Sequence, residues 1–176
     1  MSQSIFTSKR VALGLGAIAL VSFGVFFAVK LGEARQAAFA VSCVHNLKLI
    51  SLPLIMYAEE HENRFPDKLS DLYPEYLTDP RCLICPILRG HYKKTMGKEY
   101  PFSDPPTAEE IDTFCSYTYV PGHALDDDKD IMVAYEKVDN HRGKGRALVY
   151  LDGRAFRKLP EEWPVGPPQA GQPRQP

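Results

Sequence analysis

Nineteen consecutive residues, 11–29, carry no charge, with Lys9 and Arg10 before them and Lys30 after them. As a helix rising ~1.5 Å per residue, this run reaches about 28 Å, close to the hydrocarbon thickness of a bilayer. A cleavable export signal has a shorter apolar core with a small-residue site directly behind it. Here the nearest small-residue site, "AFA" at 38–40, and the lipoprotein-like "AVSC" at 40–43 both lie well beyond the run. The run therefore reads as a retained transmembrane helix. Lys9, Arg10 and a short leading segment, 1–10, place the N-terminus in the cytoplasm and the rest of the chain outside it.

The anchor leads straight into a second pattern. Ala34, Ala37, Ala38, Val41, Val44, Leu47, Leu54, Ile55 and Ala58 recur at three- and four-residue spacing, the mark of an amphipathic helix. Only Gly32 interrupts the two runs. The expectation is one helix from about residue 9 to about residue 60, kinked at Pro53, or two helices hinged near Gly32. "HENRFPDKL" ends it, with Asn63 suited to a cap and Pro66 disfavouring helix at Phe65. A short second helix is expected from Asp67, burying Leu69, Leu72, Tyr73 and Leu77.

The period then changes. "CSYTYV", "DIMVAYEKV" and "RALVYLDGRAFRKL" are rich in β-branched and aromatic residues that alternate with polar ones. Asp152-Gly153 suits a two-residue hairpin turn, where both positions tolerate positive φ. The fold class expected is α+β: a long N-terminal helix, transmembrane then amphipathic, packed on a small antiparallel sheet of three or four strands. Its parts are a cytoplasmic end at 1–10, the span at 11–29, a stalk at 30–62 and an α+β head at 63–163. A Pro-rich tail at 164–176 has almost nothing to bury and should be disordered.

Composition removes several functions. Net charge is −1 and no basic patch stands out, so nucleic acid is not an expected partner. "GLGAIALVSFG" lacks the preceding strand that a dinucleotide fingerprint needs. No Ser/His/Asp order or paired-carboxylate pattern points to a hydrolase, and the expectation is a protein that is not an enzyme.

"CVHNLKLISLPLIMYAEEHENRFPDKLSDLYPEYL", "CP" at 85–86, "SYTYVPG" at 116–122 and "AYEKVDNHRGKGRALVYLDGRAFRKL" at 134–159 together resemble the pilin-like pseudopilins of type II secretion, of the planctomycete type. The likeness spans residues 34 to 163 and rests on Asn46, Phe65, Pro66, Tyr117, Glu136, His141, Asp152 and Gly153. It implies a pilin-like fold and a structural or assembly role in a secretion or pilus-type envelope system. It also implies residence in the inner (cytoplasmic) membrane with the head in the periplasm. The implied partners are other pseudopilins or secretion-system membrane proteins, met through the N-terminal helix, together with membrane lipid. The N-terminus departs from the pattern. Ile5 stands where a prepilin has Gly, and the helix start lacks the usual Glu, so an uncut chain that joins a complex laterally or at its base is expected. A different reading is a membrane-tethered, extracytoplasmic metal- or ligand-binding module that reuses the pilin shape.

Four cysteines, Cys43, Cys82, Cys85 and Cys115, admit several states. Outside the cytoplasm an even number favours disulfides, here Cys43 with Cys85 and Cys82 with Cys115. A tetrahedral zinc site, a redox pair at Cys82-x-x-Cys85 and free buried thiols are the other readings. Asp126, Asp127, Asp128 and Asp130 offer hard oxygen ligands that suit calcium, or else form a solvated acidic turn. His123 and His141 lie in loops beside glycines, where a loop-shaping role is expected. Tyr117, Tyr119, Tyr135 and Tyr150 fall at strand spacing as core and sheet-face residues.

Overall fold

The computed structural model describes residues 2–137 and 145–163, with side chains in the N-terminal helix from Leu20 onward. The chain divides into two units, residues 1–38 and residue 39 onward. Helix α1 (Ser2–Glu60) runs unbroken through Gly32 and Pro53, so no hinge separates two helices. It is long and apolar enough to cross a membrane.

In the first unit, Leu20, Val21, Phe23, Val25, Phe26, Phe27, Val29 and Leu31 are all more than half exposed. In the second unit α1 buries one side. Ala40, Cys43, Leu47, Ile50, Leu54 and Ala58 recur at intervals of three and four and are at most 4% exposed. Val41, which the spacing had placed on this side, is 69% exposed. The helix ends where Glu62 and Asn63 enter the left-handed region, and the Asn63 amide donates to the Ala58 carbonyl. Asn, whose short polar side chain tolerates that conformation, suits the position.

The expected helix from Asp67 is a single 3₁₀ turn, Leu69–Leu72. Pro74 explains the difference, because a residue before proline is pushed out of the helical region, and Tyr73 has φ −96 and ψ 139. Leu69, Leu72 and Leu77 are nonetheless buried as expected, whereas Tyr73 is only half-buried. A further 3₁₀ turn, Pro80–Leu83, leads into α2 (Pro86–Met96), which stops at Gly97 in the left-handed conformation. Helix α3 (Ala108–Phe114) opens on a reciprocal cap. The Thr107 hydroxyl accepts from the Glu110 amide, and the Glu110 carboxylate accepts from the Thr107 amide.

Four strands follow: β1 (Tyr117–Tyr119), β2 (Met132–Glu136), β3 (Arg146–Tyr150) and β4 (Ala155–Lys158). They form one antiparallel sheet in sequence order. The fold class is therefore α+β, with a long N-terminal helix and a small antiparallel sheet, an arrangement consistent with pilin-like architecture. The β3–β4 turn differs from the two-residue form. Tyr150 donates to the Arg154 carbonyl and Gly153 to the Tyr150 carbonyl, which makes a three-residue connection in which Gly153, at φ +81, carries the positive φ.

One core joins these parts. Leu47, Ile50 and Leu54 of α1 meet Leu72, Leu83 and Ile84 of the connecting segment, Ile111 of α3, and Val133, Ala147 and Val149 of the sheet. On the other sheet face, Trp163 lies 5.6 Å from the Tyr135 ring, and the Arg146 guanidinium stacks over it at 3.7 Å. His141 and the Pro-rich tail 164–176 lie outside the described residues.

Candidate functional site

Where α1, the start of α2 and the end of β2 meet, the core turns polar. Cys43 and Asn46 stand one turn apart on the buried side of α1, at 0% and 6% exposure. Cys85 caps α2, and Pro86 at the first helical position fixes the chain's entry into that helix. Glu136 ends β2 in phase with Ala134, so its carboxyl enters the core and is 1% exposed.

Hydrogen bonds hold this group in place. The Asn46 amide donates to the Ile84 carbonyl and to the Tyr117 hydroxyl, each at 3.1 Å. The Cys85 backbone amide donates to Ser116 Oγ at 2.9 Å. The Ala147 amide of β3 donates to Glu136 Oε2 at 3.2 Å. Asn46 therefore ties the residue before Cys85 to strand β1, while Ser116 ties Cys85 itself. Two positions separated by 42 residues are fixed against each other by bonds that involve neither sulfur.

Cys43 Sγ lies 3.2 Å from Cys85 Sγ. That is a thiol–thiol contact, well beyond the ~2.05 Å of a disulfide. All four cysteines are buried and outside any disulfide, so neither expected bridge is present, although the expected proximity of Cys43 and Cys85 is. Contact with Cys85, then burial, then the Glu136 charge push the Cys43 thiol far above its ordinary range. Burial raises Cys82 to about 12 and Cys115 to about 11. Burial also raises the Tyr117 hydroxyl well above its usual value. Such groups hold their protons at neutral pH, and a protonated thiol is a poor nucleophile.

Cys43, Cys85 and Glu136 also form the one group of ligand-type side chains close enough to share an ion, among the described residues. The aspartates expected to bind calcium do not converge. Asp127 accepts from the Ala124 amide and faces His123 Nδ1 at 3.4 Å. Asp128 accepts from the Asp130 amide, and Asp130 pairs with Arg154 at 2.6 Å. Arg154 also pairs with Asp152, so Asp130 and Asp152 brace the β3–β4 turn.

The other described resemblance positions make packing and hydrogen-bond contacts. Phe65 is 5% exposed, and its amide donates to the His123 carbonyl. The Pro66 carbonyl accepts from the Tyr119 hydroxyl at 2.7 Å, which pins the end of α1 to β1. Tyr117 is buried, whereas Tyr119, Tyr135 and Tyr150 are half-buried. Among the described residues, an open cleft of about 390 Å³ lies beside Arg81 and Tyr100 and another of about 550 Å³ beside His61 and Asp71, and no cysteine lines either.

The spacing of the cysteines did not reveal Ser116 or the ligand-type role of Glu136. A signal was present for Glu136: an acidic residue two positions from Ala134, on the inward phase of "MVAYE". Comparison with protein-family models, curated proteins and solved structures finds no match for this chain.

Proposed function

We propose that this chain is a membrane-anchored, pseudopilin-like structural or assembly component of a type II secretion or pilus-type envelope system, and that it is not an enzyme. On this reading α1 anchors it in the inner membrane, its N-terminus is cytoplasmic and its head lies in the periplasm. It works by lateral packing against other pseudopilins or secretion-system membrane proteins.

One observation carries the reading: within the second unit, four large apolar residues of α1 stand exposed on the side away from the sheet, alongside the polar His45 and Glu59. Val41, Leu49, Leu52 and Met56 are 69%, 47%, 60% and 42% exposed. At 3.6 residues per turn they fall within an arc of about 80°, opposite the buried side. A helix that only carried a soluble head would present polar residues there. Exposed apolar residues gathered on one side are the face by which a helix meets another helix. The sealed, protonated thiols and the shared bracing of the aspartates support a role without catalysis.

The test is photo-crosslinking in the native membrane from a reactive amino acid at Leu52, with a second at the exposed position Glu109 of α3, away from α1, as control. Crosslinks from Leu52 to another envelope protein, with none from Glu109, are expected. Equal labelling from both positions, or none from either, overturns the proposal.

A further inference from the structure

We propose that Cys43, Cys85 and Glu136 form a binding site for one thiophilic divalent cation, zinc being the occupant. The inference stands apart from any role in secretion, because it concerns what holds the head together.

The donor set is the first argument. Two sulfurs and a carboxylate oxygen lie within 4.8 Å of one another, and all three residues are buried. Zinc takes this mixture of ligands, with Zn–S bonds of about 2.3 Å and Zn–O bonds of about 2.0–2.2 Å. At a tetrahedral angle two such sulfurs stand about 3.7 Å apart. From the observed 3.2 Å the two thiols need open only by about half an ångström, within reach of a side-chain rotation. Magnesium and calcium prefer six or more oxygens and find no such set here. Three donors leave one tetrahedral corner for a water or the second carboxylate oxygen.

The frame around the donors is the second argument. The Ala147 amide orients the Glu136 carboxylate. Ser116 holds the Cys85 backbone, and Asn46 holds Ile84 beside it while reaching Tyr117. Such outer partners orient metal ligands and raise affinity. They come from four separate parts of the chain: α1, the segment before α2, and the β1 and β3 strand regions. An ion at their centre joins α1 to the sheet at the point nearest the membrane-proximal end of the buried helix face.

Binding displaces protons from both thiols, so affinity should fall as pH is lowered. The full-length chain, purified in detergent without chelator, should carry about one zinc per molecule, with sulfur and oxygen ligands in its X-ray absorption spectrum. Cobalt added in place of zinc should give a thiolate-to-metal charge-transfer band. Cys43→Ser, Cys85→Ser and Glu136→Gln should each weaken zinc binding by at least about tenfold, whereas Cys82→Ser should leave it unchanged. The wild-type spectrum decides the case if a variant fails to fold. A metal shell without sulfur overturns the proposal, as does a wild-type chain that takes up no zinc from a stoichiometric supply. A Cys43–Cys85 disulfide in the purified chain, with no metal bound, overturns it equally.

Discussion

Helix α1 is one element in two settings. From Leu20 to Leu31 its large apolar side chains are more than half exposed, whereas from Ala40 to Ala58 one side is sealed to a few per cent exposure. Both stretches are apolar, so composition alone does not separate them. The difference lies in which positions must be apolar. In lipid every face of the helix is satisfied by hydrocarbon, and no position depends on a particular neighbour. Against the sheet each buried position has its own partner, and a cavity left there is filled only in part.

That contrast orders the expected effects. The largest belongs to the sealed stretch. Leu47→Ala removes a fully buried side chain and should lower stability of the head by about 2–5 kcal/mol, read by denaturant unfolding of the full chain in detergent. Phe26→Ala, in the exposed stretch, should leave the same transition in place. Equal effects from the two would break the comparison.

The reverse experiment sharpens it. Leu20→Lys puts a charge mid-way along the apolar run 11–29, at a cost of about 2.5–3.5 kcal/mol for insertion. The protein should then shift from the membrane pellet to the soluble or degraded fraction, with its head still folded. Extraction of the unsubstituted chain from the pellet by an alkaline wash would show that this stretch does not lie in lipid. A reporter fused after Trp163 that is active only in the cytoplasm should be silent.

A third effect is intermediate. Asn46→Ala strips partners from the Ile84 carbonyl and the Tyr117 hydroxyl, both interior groups, and should cost about 1–3 kcal/mol. Asn46→Asp should be no better, because a carboxylate cannot donate to a carbonyl. A neutral outcome for Asn46→Ala would mean that water replaces the amide.

Much of this organisation was legible in the chain. The strands were, because alternating Tyr, Val and Ala residues leave few alternatives at period two. Asn63 was, because few residues besides glycine settle where φ is positive. The helices after residue 80 were not. In "PILRGHYKKTM" no apolar period exists, and α2 buries none of its residues fully. Helix α3 did carry a readable mark in Thr107-x-x-Glu110, the spacing of a capping box. At the candidate site the proximity of Cys43 to Cys85 was readable from the returning chain, but their state was not. Whether two sulfurs bond, bind an ion or remain thiols depends on about an ångström, which no spacing in sequence resolves.

The thiols also set an alkaline limit. Cys82 and Cys115 ionise at about 12 and about 11 in the fold, against 9.0 in an unconstrained chain. A pKa raised on folding stabilises the fold fully below the unfolded value and is lost as pH climbs through the folded one. Their contribution should therefore hold to about pH 9 and fade between there and about pH 12. Cys82→Ala should flatten that decline, read as the shift of the unfolding midpoint between pH 8 and pH 11. An unchanged slope would mean that these thiols ionise in the folded protein as readily as in the unfolded one.

The smallest effect on stability separates the two sides of the same turns of α1. Leu52 and Ile50 are two positions apart, yet Leu52 is 60% exposed and Ile50 is fully buried. Leu52→Ser removes little that is shielded from water and should change unfolding by no more than about 0.5 kcal/mol. Ile50→Ser would open a cavity and leave a hydroxyl in the core, where each acts against the fold. The exposed stripe has a separate consequence if it meets another helix: Leu52→Ser should then reduce co-purification of envelope partners from the native membrane while the head unfolds as before. Loss of assembly without loss of stability is the outcome that a purely structural surface does not produce. A Leu52→Ser chain that retains every partner would confine the function of α1 to anchoring the head.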